Sequence, residues 1–138
     1  MNHFQLEPAF VNTREFSPEA KSFLKNGYYT NSPPGTYAYR EYWDEQTRRC
    51  LEGYKVGGIA ITGSHYFYLN FTQIKATIKT GKLERKILTF PSFLDMDYYY
   101  FLECKIAREN GQGVIVAKAR RKGFSYKNGA LCVYQYNF

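Results

Sequence analysis

The sequence predicts an α/β fold, and three observations point to it. Two segments, near residues 17–26 and 36–53, carry helix caps and helical apolar spacing. Residues 59–79 are rich in β-branched and aromatic side chains. Residues 113–117 are a short apolar run that enters a basic, glycine-containing turn. With 138 residues, 44% hydrophobic and 19% aromatic, the chain has material for one core, and its composition excludes a disordered protein.

Residues 1–16 show no period and are expected to form an extended lead-in. Ser17-Pro18-Glu19 then reads as a helix start, with Ser as N-cap, Pro at the first helical position and an acid in the first turn; Asn26-Gly27 ends that helix. The two prolines and the glycine of residues 31–35 make a loop. Residues 36–53 form a second helix. Its apolar Tyr39, Tyr42, Trp43, Cys50 and Leu51 leave Arg40, Glu41, Asp44, Glu45, Arg48 and Arg49 largely on other faces, and Gly53 is the stop.

Residues 59–61 and 66–71 are expected strands, separated by a turn at Thr62-Gly63-Ser64. Residues 74–78 continue the sheet, and Thr80-Gly81-Lys82 turns it. Residues 90–109 are helical, entered through Phe90-Pro91-Ser92 and ended by Asn110-Gly111. Residues 113–117 are nearly all apolar and are expected to be a buried strand.

The formal charge is +7, and its placement matters more than its size. Residues 1–110 hold 14 basic and 12 acidic side chains, whereas the last 28 residues hold Lys118, Arg120, Arg121, Lys122 and Lys127 and no acid. Such a cluster expects an anion: a nucleotide phosphate, a nucleic acid or an anionic surface. Cys50, Cys104 and Cys132 are odd in number and far apart, which points away from a disulfide framework or a zinc site and toward a reducing compartment. His3 and His65 lack ligand-spaced neighbours and read as structural. With no basic leader and no run of apolar residues long enough to span a bilayer, the expectation is a soluble protein that is not secreted.

Residues 113–128, GVIVAKARRKGFSYKN, carry the specific chemistry. A strand followed by a basic turn, a glycine, a hydroxyl residue and a helix is the order of parts that a phosphate-binding loop needs. The glycine lets backbone amides face phosphate, the hydroxyl can bind magnesium, and the helix presents its positive end. Against G-x-x-x-x-G-K-[ST], however, Lys118 replaces the first glycine and Phe124 stands at the lysine position. Asn128-Gly129, flanked by strand-friendly residues, also allows these residues to be strands around a β-hairpin with a basic face.

The deviations themselves resemble a known family. The stretch from Lys118 to Lys127, KARRKGFSYK, is similar to the Walker A loop of some phage terminase large subunits, in which the lysine is displaced toward the strand and an aromatic residue fills its usual place. WDEQTRRCLEG (residues 43–53), Ile61-Thr62-Gly63 and HYFYLNF (residues 65–71) look like the region before that motor's ATPase core, and residues 93–101 stand where its adenine-binding segment lies. The resemblance covers about residues 36–128. It implies the N-terminal portion of a P-loop ATPase domain of the RecA-like class, with residues 1–110 as an α+β lead-in and residues 111–138 as strand, loop and helix start. It further implies ATP and Mg²⁺ as cofactors. Lys118 and Arg121 would lie on the β/γ-phosphates, Gly123 would allow backbone approach, and Ser125 would bind the metal, with Lys122, Phe124 and Tyr126 in the same loop. Phe93 and Tyr98 are candidates for base stacking or core. The partners implied are double-stranded DNA, a portal protein and a small terminase subunit, in host cytoplasm and transiently on a procapsid, with no membrane.

A packaging ATPase also needs a Walker B acid and a catalytic glutamate. After Ser125 only 13 residues follow, none acidic, so the expectation is a fragment that is inactive alone and binds nucleotide weakly at best. Two other readings remain open at this level: a small basic nucleic-acid-binding module without enzymatic activity, and an interaction protein whose basic hairpin meets an acidic partner.

Overall fold

Helix boundaries fall where the capping residues stand. In a computed structural model, which describes residues 13–118 and 123–138, helix α1 spans Pro18–Asn26 and stops at Gly27, whose φ of 81° is the left-handed conformation that glycine adopts without strain. Helix α2 spans Tyr37–Glu52; the Thr36 hydroxyl accepts from the Tyr39 amide at 3.3 Å, and Gly53 ends it. Ser17 occupies the N-cap position of α1, but its side chain makes no capping bond. That role falls to a residue far along the chain, Asn70.

The expected strand over residues 66–71 is instead part of helix α3, Gly63–Phe71. Thr62 is its N-cap, with Oγ1 accepting from the His65 amide at 3.2 Å, so Thr62-Gly63-Ser64 starts a helix rather than turning a sheet. The misreading has a physical cause. Gly63, Ser64, His65, Tyr66, Tyr68, Leu69 and Asn70 are all buried, and a helix buried all round has no polar face to reveal its period. α1 and α2 pack against α3, as do α4 (Asp95–Glu109) and α5 (Phe124–Asn137).

Strands β1 (Tyr54–Val56) and β2 (Ile59–Ile61) form a small antiparallel pair, with Tyr54 opposite Ile61. β3 (Ile74–Thr80) and β4 (Leu83–Thr89) form a longer one around the two-residue turn Gly81-Lys82. The turn matches the sequence reading; the second strand over residues 83–89 is additional. The architecture is therefore mixed α/β, five helices with two small antiparallel sheets, and no parallel pairing among the described residues.

Residues 113–118 correct the sequence reading in two ways. They form no strand, and they are exposed: Val114 is 43% exposed, Ile115 100% and Val116 41%. A strand exists only through a ladder to a neighbour, and among the described residues this segment has none. The hairpin alternative is also excluded, because Asn128-Gly129 lies inside α5, two turns or less from its start.

The core gathers Phe16, Cys50, Ile61, Tyr66, Tyr68, Leu69, Phe101 and Ala130 around α3. Gly63 permits the closest approach: a Cβ there would sit 1.7 Å from the Cys50 carbonyl oxygen, so α2 and α3 touch backbone to backbone. Tyr134 of α5 donates to the same carbonyl at 2.9 Å. Asn70, fully buried, accepts from the amides of Glu19 and Ala20 at 3.1 and 3.2 Å, and donates to the carbonyls of Phe16 and Tyr66 at 3.0 and 3.1 Å. It thus caps α1 from the end of α3. Among the described residues no helix is long and apolar enough to cross a membrane.

Two outcomes follow from this core. Asn70→Leu should destabilise the fold by about 3 kcal/mol or more in urea unfolding, because it strands two α1 amides and the Phe16 carbonyl away from water. His65 is stacked between Phe93 and Phe101 at 5.2 and 4.9 Å, and burial, with Lys127 nearby, lowers its pKa from 6.5 to about 3. The unfolded chain binds this proton more readily than the native one. His65's contribution to stability is therefore complete above pH 6.5 and declines by about 1.4 kcal/mol per pH unit from 6.5 down to about 3. His65→Phe should remove that slope in melts recorded across the range; an unchanged slope would assign it to other groups.

Candidate functional site

The start of α5 is where the sequence-predicted residues meet the folded body. Gly123 precedes the helix with φ 66°, a left-handed residue with no side chain to cap it. The first-turn amides, which have no intrahelical partners in any helix, are therefore left without a side-chain cap, and the helix dipole adds to their positive potential. Ser125 and Tyr126 lie on this first turn, both exposed. Phe124 packs edge-on against Tyr100 of α4, with centroids 5.1 Å apart. The Lys118 ammonium returns to the same place, 5.7 Å from the centre of the Phe124 ring. Lys118, Gly123, Phe124, Ser125 and Tyr126 are therefore brought to one helix end. Arg121 and Lys122, with Arg120, lie outside the described residues.

Beneath this end sits an ion pair that the sequence reading did not find. Lys127, expected only to follow Ser125 on the helix, is 3% exposed and donates from Nζ to Asp97 Oδ1 in the first turn of α4; Asp97 is 1% exposed. Burial pushes the Asp97 carboxyl above its usual range, and Lys127 pulls against that. A second bond runs beside it, from the Tyr100 hydroxyl to Asn128 Oδ1 at 2.6 Å. The signals were present but ambiguous: Asp97 reads as an ordinary first-turn acid on α4, and Lys127 as one more cation in a basic cluster. His65 feels the charge of Lys127, and neither of its ring nitrogens is hydrogen-bonded among the described residues.

Two hollows flank the start of α5. One, of about 490 Å³, lies between α4, α5 and the extended segment; Tyr100, Val114, Val116, Phe124 and Asn128 contribute to its wall. The other, of about 320 Å³, is bounded by Ser125, Tyr126 and the end of α3 at Phe67 and Phe71. Neither wall includes an acidic side chain, so nothing lining them opposes an anion. Of the two stacking candidates, Phe93 lies against Phe16 at 5.1 Å and against His65, and both Phe93 and Tyr98 pack on the core.

No protein family, no curated protein and no solved structure matches this chain. The functional reading therefore rests on the residues and their geometry.

Because Asp97 and Lys127 are both buried, removing one partner leaves a charge with no solvent. Lys127→Ala should cost about 3–5 kcal/mol in denaturant unfolding, whereas the double replacement Asp97→Leu with Lys127→Met should recover most of that loss. A mild effect of Lys127→Ala would mean that the pair is open to water.

Proposed function

We propose that this chain is the ATP-binding N-terminal part of a tailed-phage terminase large subunit, the motor that uses ATP hydrolysis to move double-stranded DNA into a procapsid. The observation that carries this reading is the order of parts at the start of α5: an extended apolar segment, Lys118 brought back over Phe124, a left-handed Gly123, and a helix whose first turn presents Ser125. The left-handed glycine, the hydroxyl residue and the helix N-terminus are parts that a phosphate loop uses and that a hairpin would have removed; the paired strand that enters such a loop is not among the described residues.

In this reading the exposed amides of the first turn and Lys118 bind the β/γ-phosphates together with Arg121, and Ser125 Oγ ligates Mg²⁺. Lys122 and Tyr126 belong to the same loop. Phe124 does not contact phosphate; its packing on Tyr100 fixes the helix end, and the Asp97–Lys127 pair ties α5 to α4 so that the loop has a rigid base. Portal and small-subunit contacts belong to the same proposal by resemblance alone.

The charge chemistry sets the test. In the complete motor protein, Lys118→Ala or Arg121→Ala should abolish ATP hydrolysis while leaving the thermal melt unchanged, since one charge-assisted phosphate contact contributes about 1.5–3 kcal/mol to binding and more where charge develops in transfer. Phe124→Lys should not rescue either variant. Normal hydrolysis in both single variants would sink the assignment.

A further inference from the structure

The near-neutral balance of residues 1–110 conceals a local excess. Residues 74–89, the β3–β4 ribbon, hold Lys75, Lys79, Lys82, Arg85 and Lys86 against a single acid, Glu84, while the rest of residues 1–110 hold nine basic and eleven acidic side chains. The register sorts these charges onto faces. Residues directly opposite in an antiparallel pair share a face. Lys75 with Leu88, Thr77 with Lys86 and Lys79 with Glu84 therefore form one face, and Ile74 with Thr89, Ala76 with Ile87, Ile78 with Arg85 and Thr80 with Leu83 form the other.

The second face is half-buried at its base, at Ile74, Ala76, Ile87 and Thr89. The lysine face is exposed along its whole length, and from Thr77 to Lys86 the ribbon is exposed on both faces. It stands out from the helices like a finger. Glu84 is engaged by Lys79 at 2.9 Å, which leaves Lys75, Lys82, Arg85 and Lys86 without an ion-pair partner among the described residues. A ribbon exposed on both sides gains little from burial, so its basic face is not explained by packing.

We propose that the lysine face of the β3–β4 ribbon, with Lys82 at its turn, docks onto duplex nucleic acid, placing Lys75, Lys82 and Lys86 on backbone phosphates. A two-stranded ribbon has the width that the major groove of a duplex admits, and strands of seven residues reach roughly 20 Å along it. Two neighbouring ligand classes fit less well. Of the chain's 14 tyrosines, 11 phenylalanines and one tryptophan, none lies between Thr72 and Thr89. Single strands are held by stacking on aromatic side chains, and bilayer surfaces favour aromatic anchors. The ribbon has no Asn or Gln, the side chains that read adenine, so its contact with a duplex is made by cations. None of these residues belongs to the phosphate loop, and the inference stands whether or not that loop binds nucleotide.

The test uses the full chain, a labelled DNA duplex, a labelled oligo-dT single strand and vesicles containing phosphatidylglycerol. The variant K75Q/K82Q/K86Q should bind the duplex about tenfold or more weakly at low salt, and its plot of log K against log salt should be flatter by about 2.7, the loss of three phosphate contacts. The charge-retaining K75R/K82R/K86R should keep wild-type affinity and slope, and both variants should melt and bind labelled ATP as the parent does. The proposal is overturned if the glutamine variant keeps the duplex affinity and slope of the parent, if the arginine variant loses binding equally, or if the ribbon charges govern binding to vesicles or oligo-dT and not to the duplex.

Discussion

The structure depends on burying α3 on every side, and the buried amide of Asn70 makes that possible. A helix enclosed by four others must pair nearly every polar group it brings into the core, and on α3 the His65 imidazole is the exception among the described residues. Asn70 uses all of its hydrogen-bonding capacity, two bonds accepted from α1 amides and two donated to carbonyls. One side chain thus caps α1, holds the Phe16 turn in place and closes the end of α3. Tyr29 adds to the same point, donating to the Asn70 carbonyl at 3.0 Å. At the other end of α3, Gly63 removes the Cβ that would collide with α2. The central helix is therefore pinned by an amide at one end and by a missing side chain at the other.

Around that centre the polar groups are arranged in layers. Tyr66 of α3 donates to Gln46 at 2.6 Å and receives Arg49 at 3.2 Å, while Arg49 also meets Glu45 at 2.9 Å and lies over the Tyr54 ring at 4.8 Å. This network joins α2, α3 and β1 through a charge that is not left alone. The Asp97–Lys127 pair does the same for α4 and α5. Both place charged side chains where elements meet, so relative helix position is specified by hydrogen-bond geometry as well as by apolar area, and the start of α5 is tied to α4 by that pair.

Three groups of cations show how differently the fold uses them. Lys127 is consumed by the core, Lys118 returns to the start of α5, and the ribbon cations face water. A sum over the chain, or over its last 28 residues, assigns them to one cluster. The fold separates them, because a side chain's partner is set by the element packed against it and not by its sequence neighbours.

The sequence alone determined where α1 stops, both ends of α2 and the Gly81-Lys82 turn, since caps and turns are local chemistry in which a hydroxyl or a glycine acts on amides a few residues away. It left helix and hairpin both open after Gly123, and it did not show that Asn70 caps α1. It also placed Lys118, Phe124 and Ser125 in one segment. It could not identify α3 as a helix, because a stretch buried all round shows neither a helical nor a strand period. Nor could it find the Asp97–Lys127 pair, whose members are 30 residues apart, or the ribbon's charged face, which exists only once Lys75 and Lys86 are placed by the register. Residues 113–118 mark the same limit from the other side: an apolar run is necessary for a buried strand, but pairing is a tertiary property, and only the folded chain decides whether a neighbour is present.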